Sequence, residues 1–157
     1  IVVPAGHQYA MHVQANGYLL HSENIDAGAE NREVNMDVNL KSLETGTNEV
    51  MRNIFFEREK AALDPASLGE LGRMLVMLRD NPALRLEIGG HTDSDGSEAY
   101  NDELSARRAN AVVDHLVNNG IPGERLVAKG YGASQPLVPN NSDENKARNR
   151  RTEMRVL

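Results

Sequence analysis

Leu84-Arg85-Leu86-Glu87-Ile88-Gly89-Gly90-His91-Thr92-Asp93-Ser94-Asp95-Gly96 is the stretch on which the reading of this 157-residue chain turns. Leu84, Leu86 and Ile88 alternate with Arg85 and Glu87 at the period of a strand with one buried face, and the run ends at Gly89-Gly90. The chain then turns polar at once. The segment from about Asn101 to Asn119 has helical spacing, with Gly120 as its C-cap, and Arg125 to Gly130 reads as a further strand. Upstream, Asp64-Pro65 is a helix start, Asp serving as N-cap and Pro as first helical residue. Leu68, Leu71, Leu75 and Leu78 recur at helical intervals until Asp80-Asn81-Pro82 stops them. Val50 to Glu57 reads as the strand before this helix. Ser142 to Asn149 is a short helix, and Thr152, Met154 and Val156 alternate as a last strand. The order β-α-β-α-β-α-β predicts an α/β class, an α+β sandwich with a mixed sheet and helices on one face.

Residues 1–48 read as a short β-rich segment and 49–157 as the main domain. Gln8 to Ala15 and Tyr18 to Ser22 flank Asn16-Gly17, a hairpin signal. Val34, Met36, Val38 and Leu40 alternate with polar residues as another strand, and Asp26 to Asn31 is an exposed loop. The boundary is placed at Thr45-Gly46-Thr47-Asn48.

Composition narrows the function. Hydrophobic residues make up 39% and charged residues 25%, as in an ordinary globular protein. No run approaches the roughly 20 apolar residues of a membrane-spanning helix. The chain opens at Ile1 with no initiator Met, basic n-region or apolar h-region, which reads as a fragment of a longer protein. There is no cysteine, so thiolate metal sites, cysteine nucleophiles and disulfides are excluded. The net charge of −6 is uneven: residues 1–99 hold 8 basic and 16 acidic side chains, residues 100–157 hold 9 and 7. That slight basic excess disfavours nucleic-acid binding.

Chemistry concentrates in two places. The loop Gly90 to Gly96 carries two carboxylates, a hydroxyl and an imidazole beyond a strand end, where α/β sheets place ligands; the local pattern by itself favours a turn capped by short polar side chains. The second place is the helix that follows. At about 100° per residue, Leu104, Ala109, Val112, Val113 and Leu116 define one apolar face, with Arg107 directly opposite. Arg108 falls at the edge of that face, where a guanidinium must snorkel, pair with Asp93 or Asp95, or hold an anion. Metal binding lacks support: the five histidines are scattered, and Asp93-Ser-Asp-Gly opens like a calcium loop without its glutamate. Neither Ser97 nor Ser105 has an evident base and acid, so no catalytic residue and no cofactor is assigned.

Asn53-Ile-Phe-Phe-Glu-Arg-Glu-Lys-Ala-Ala-Leu63, Ile88 to Gly96, Tyr100-Asn-Asp-Glu-Leu-Ser-Ala-Arg-Arg-Ala-Asn-Ala-Val112, Gly120 to Gly132 and Ala147-Arg-Asn-Arg-Arg-Thr-Glu153 together resemble the OmpA-like (OmpA/MotB C-terminal) peptidoglycan-binding family, in the correct order over about 50–157. The resemblance implies non-covalent binding of the peptidoglycan stem peptide at the end of meso-diaminopimelate. It assigns Asp93 of His-Thr-Asp to the ammonium and Arg108 of the Asn-x-x-Leu-Ser-x-x-Arg-Ala motif to the carboxylate. Thr92 and Asn101 fall at groove positions, and the Asn149-Arg150-Arg151 match puts Arg151 near the rim. Many members have Phe-Asp where this chain has Arg58-Glu59. Glu59 is placed at that edge, an aromatic wall is expected to be missing, and Arg58 to add a charge contact. Residues 1–48 resemble the end of a carboxypeptidase-regulatory-like module that precedes such domains in Bacteroidota outer-membrane lipoproteins, including a component of the type IX secretion system. The expected setting is the periplasm beside the outer membrane, with secretion or motility complex proteins as further partners. The rival reading is a peptidoglycan-processing amidase or peptidase using His91, Asp93 and Asp95. A third is self-association through the strand pattern at 34–40.

Overall fold

The computed structural model describes residues 2–30, 33–57 and 59–157. Strands β1 (Gln8–Val13) and β2 (His21–Asp26) form an antiparallel pair. They are followed by β3 (Asn48–Met51), α1 (Leu68–Asp80), β4 (Leu86–Gly90), α2 (Glu98–Asn118), β5 (Leu126–Gly130), α3 (Asp143–Asn149) and β6 (Thr152–Val156). The second sheet has the order β3-β6-β4-β5, with β4 and β5 parallel and the other pairs antiparallel. This is the mixed α/β order that the sequence predicts. Among the described residues no helix is long and apolar enough to cross a membrane.

Helix starts follow their local chemistry. Asp64 accepts a hydrogen bond from Ala66 N at 2.8 Å, but it caps a 3₁₀ turn, Pro65–Ser67, from which α1 continues. Ser97 Oγ accepts from Tyr100 N and Ser142 Oγ from Asn145 N, capping α2 and α3. The core lies between one sheet face and the helices: Leu71, Met74 and Leu78 of α1 and Ala109, Val112 and Leu116 of α2 pack with Leu86, Ile88, Met154 and Val156. Removing six such aliphatic side chains from water is worth on the order of 10 kcal/mol before entropy is counted. The opposite sheet face carries Glu87, Glu153, Arg155 and Tyr131.

Four expectations change. Asn16-Gly17 does turn, with Tyr18 N donating to Ala15 O at 3.2 Å and Gly17 at φ 81°, yet strand pairing begins only at Val13 and His21. The seven-residue loop between them lets adjacent Leu19 and Leu20 both enter the core, which a strand's alternation forbids. β2 accordingly runs on through Asp26, further than expected. Residues 33–41 form no strand among the described residues. Val34 and Met36 are exposed, and the nearest backbone pairing is at the segment's end, where Leu19 N donates to Lys41 O. Alternation without a neighbouring edge leaves backbone groups better served by water. β3 stops at Met51, leaving Phe56 in an isolated bridge to Leu63. Leu68, 54% exposed, starts α1 facing outward, and the buried stripe begins at Leu71.

Candidate functional site

The site is assembled where β4 and β5 meet α2. Gly90 and Gly130 make that junction possible: a Cβ on Gly90 would lie 2.2 Å from Ser105 O, and one on Gly130 2.5 Å from Ala106 N. With hydrogens in place of side chains, α2 rests directly on the two strand backbones. Ser105 completes the joint, accepting from Gly132 N at 2.9 Å and donating to Asp102 O.

Beyond Gly90 the chain is still pinned, His91 N to Arg151 O at 3.0 Å and Thr92 N to Gly132 O at 2.9 Å. The loop then folds around its own polar groups. Asp93 Oδ1 accepts from Asp95 N at 2.9 Å, and Asn101 Nδ2 on α2 donates to the carbonyls of Asp93 (3.3 Å) and Asp95 (3.0 Å). Asn101 is 4% exposed and Asp93 6%, so both are fixed parts of the wall.

These residues edge an open groove of about 1090 Å³. Thr92, Asp93 and Asp95 of the loop, Asn101, Leu104 and Arg108 of α2, and Phe56 and Glu59 line it, with Arg150 beside Asp93. Arg108 is half-buried. Its Nε donates to Lys60 O at 3.0 Å, and its guanidinium carbon lies 5.1 Å from the centre of the Phe56 ring. Its terminal nitrogens have no hydrogen-bond partner among the described residues. Burial lowers its pKa, Tyr100 and Asp93 oppose the shift, and Arg150 adds to it; an arginine stays charged under all of these. Thr92 Oγ1 is buried and without a partner among the described residues.

Arg108 therefore does not pair with Asp93 or Asp95. Asp93 Oδ2 accepts from Arg150 Nη1 at 2.5 Å, and Asp95 Oδ1 from Lys146 Nζ at 2.7 Å. Of the residues singled out from sequence, Thr92, Asp93, Asn101, Arg108 and Glu59 line the groove; Glu59 does so with a left-handed backbone, φ 58°. Arg151 does not. Its Nε donates to Glu153 at 2.6 Å and Nη2 to Gln135 O, and residues 151, 153 and 155 continue one face of β6 away from the helices. Arg150, the C-cap of α3, holds the place expected of Arg151, which lies just ahead of β6. Phe56 puts an aromatic ring beneath Arg108, where a wall without one was expected. Arg58 lies outside the described residues.

His91 is also absent from the groove lining. It stacks on Tyr131, ring centres 5.0 Å apart, and its Nε2 is 3.7 Å from Glu153 Oε2 on the open sheet face. Burial and Arg151 push its pKa down to about 4. No group of three potential metal-ligating side chains occurs among the described residues.

Residues 55–150 match the OmpA family over more than half of the chain. The chain belongs to the OmpA family. Among similar proteins, outer membrane porin F of Pseudomonas aeruginosa is 40% identical over 108 residues, 68% of this chain and 31% of that protein. The peptidoglycan-binding protein ArfA of Mycobacterium tuberculosis is 40% identical over 103 residues, 66% of this chain and 32% of that protein. The chain thus spans about a third of the length of these curated relatives. Among solved structures, a putative MotB-like protein from Desulfovibrio vulgaris is similar with a TM-score of 0.61 at 33% identity, covering 66% of this chain and 67% of that one. The cell wall anchor of the T6SS from Pseudomonas aeruginosa has a TM-score of 0.61 at 28% identity, covering 70% and 78%.

Proposed function

We propose that the groove binds the peptidoglycan stem peptide non-covalently at the zwitterionic end of meso-diaminopimelate, and so ties an outer-membrane protein to the cell wall from the periplasm. The observation that carries this reading is the presence of opposite charges in the lining of one groove: a fixed carboxylate at Asp93 and a guanidinium at Arg108 whose terminal N–H groups have no partner among the described residues. A ligand carbon bearing both ammonium and carboxylate can satisfy the two together. The carboxylate takes a two-pronged, charge-assisted bond from Arg108, and the ammonium turns to Asp93. Buried Thr92 Oγ1 is a further group for ligand to satisfy. Support comes too from relatives whose names state peptidoglycan binding or wall anchoring. The body to be anchored would be an outer-membrane secretion or motility complex, as the likeness of residues 1–48 suggests.

A hydrolytic reading gains nothing from the geometry. His91 stands on the open sheet face, Ser97 caps α2, and Ser105 is spent on Gly132 and Asp102. The test is calorimetric titration with a diaminopimelate-containing muropeptide and its lysine-containing counterpart, followed by mass spectrometry of the mixture. Selective binding with unaltered muropeptides is the expected result. New cleavage products would replace the anchor with an enzyme.

A further inference from the structure

The charged groups that line the groove are in different electrostatic states. On the acidic side both carboxylates already have cations, Arg150 on Asp93 and Lys146 on Asp95. Both cations come from α3 and its C-cap, four residues apart and so on one side of that turn. On the cationic side the terminal nitrogens of Arg108 face the groove without partners among the described residues. The Arg108 guanidinium is open, whereas Asp93 and Asp95 are closed by the protein itself.

We propose that Arg150 is a built-in competitor for the ammonium subsite, and that its transfer from Asp93 to the incoming carboxylate makes the groove select amino-acid ends over plain amines. The proposal rests on the reading that the groove takes the zwitterionic end of a stem peptide. A plain ammonium reaching Asp93 must displace Arg150, so one ion pair forms as another is lost, and the exchange is nearly even. A ligand carrying a carboxylate on the same carbon makes the same exchange and adds a bond to Arg108. The displaced guanidinium also stays useful, since Arg150 lies in the groove lining, near enough to Arg108 to depress its pKa. There it meets the incoming carboxylate. The Arg150 side chain is 48% exposed against 9% for Asp93, so the movable partner is the arginine, and its release into water costs little.

The experiment titrates wild type, Arg150→Gln, Arg150→Lys and Asp93→Ala with the diaminopimelate-containing and lysine-containing muropeptides. In Arg150→Gln the lysine peptide should bind about fivefold more tightly, the worth of an ion pair with one half-exposed member; the diaminopimelate peptide gains the same relief but loses the contact of its carboxylate with the displaced guanidinium, so its affinity should stay level and the preference should narrow by about that factor. Arg150→Lys, which keeps the charge, should restore most of the preference. If Arg150→Gln leaves the preference unchanged, or narrows it by weakening the diaminopimelate peptide alone, Arg150 is not a competitor. The reading of the groove fails separately, and takes the proposal with it, if wild type binds neither peptide or if Asp93→Ala binds both as well as wild type does.

Discussion

Replacing Arg108 by alanine separates recognition from folding. Toward the fold, the side chain contributes one hydrogen bond to Lys60 O and one contact with the Phe56 ring. These are worth roughly 1 kcal/mol and about 0.5–1 kcal/mol, so the melting temperature should drop by only several degrees. Toward ligand, the loss is the charge-assisted pair from the terminal nitrogens, about 1.5–3 kcal/mol, or about 10- to 150-fold in Kd. That loss should fall on the diaminopimelate peptide alone. The lysine peptide has no carboxylate at that carbon, so its affinity should change less than about threefold, in the range of surface effects. Titration of both peptides against wild type and Arg108→Ala, with melting curves on the same samples, reads out all three quantities. Equal loss for both peptides with the fold intact would refute the carboxylate assignment and leave Arg108 as a general electrostatic attractor.

Gly90→Ala places a methyl group 2.2 Å from Ser105 O, a backbone atom that cannot turn aside, and should cost about 3 kcal/mol or more in denaturant unfolding. His91 titrates in the unfolded chain near its ordinary value but near 4 when folded. Above about pH 6.5 neither state holds the proton and this contribution to stability is complete. As pH falls toward 4 the unfolded chain takes up a proton that the native state refuses, and on the order of 3 kcal/mol is lost; below 4 the loss levels off. Unfolding midpoints should therefore decline over this window in wild type and decline less in His91→Phe. Glu70, 2% exposed, accepts from Ser22 Oγ at 2.5 Å and lies 3.2 Å from His12 Nδ1, joining α1 to the β1–β2 pair. Glu70→Ala leaves the buried Ser22 hydroxyl with only His12 Nδ1, 3.2 Å away, and removes the tie to α1 at a cost of about 1 kcal/mol, and limited proteolysis should cut first within residues 2–30.

The fold was legible wherever periodicity and end signals agreed. In α2 the apolar stripe from Leu104 to Leu116 is buried, Arg107 points to solvent and pairs with Glu103, and Arg108 sits at the stripe's edge. Where periodicity stood alone it misled. Residues 34–40 alternate as well as β4 does, but a strand also needs a hydrogen-bonding edge, and no local pattern reports one. Leu19-Leu20 hid the opposite problem, a loop as buried as any strand. At the site, residue identity announced Asp93 and Arg108 as charges needing partners, but the pairing of Asp93 spans 57 residues to Arg150. Such long-range choices are set by packing. Arg150 and Arg151 are the same side chain in neighbouring positions, and it is their place in the chain, Arg150 as the C-cap of α3 and Arg151 just ahead of β6, that sends one to Asp93 and the other to Glu153.

The contact at Gly90 and Gly130 has a metrological consequence. In most helix–sheet layers the spacing is set by interdigitating side chains, whose rotamers let it breathe. Here α2 seats on bare peptide planes, and it carries Arg108 less than one turn beyond the seat while β4 carries Asp93 three residues past its own. The two jaws are thus mounted on a common hard stop, like those of a calliper whose gauge is ground into the frame. Substitutions elsewhere in the core can soften the protein without altering the gap it measures, whereas a single carbon at the seat would reset the instrument.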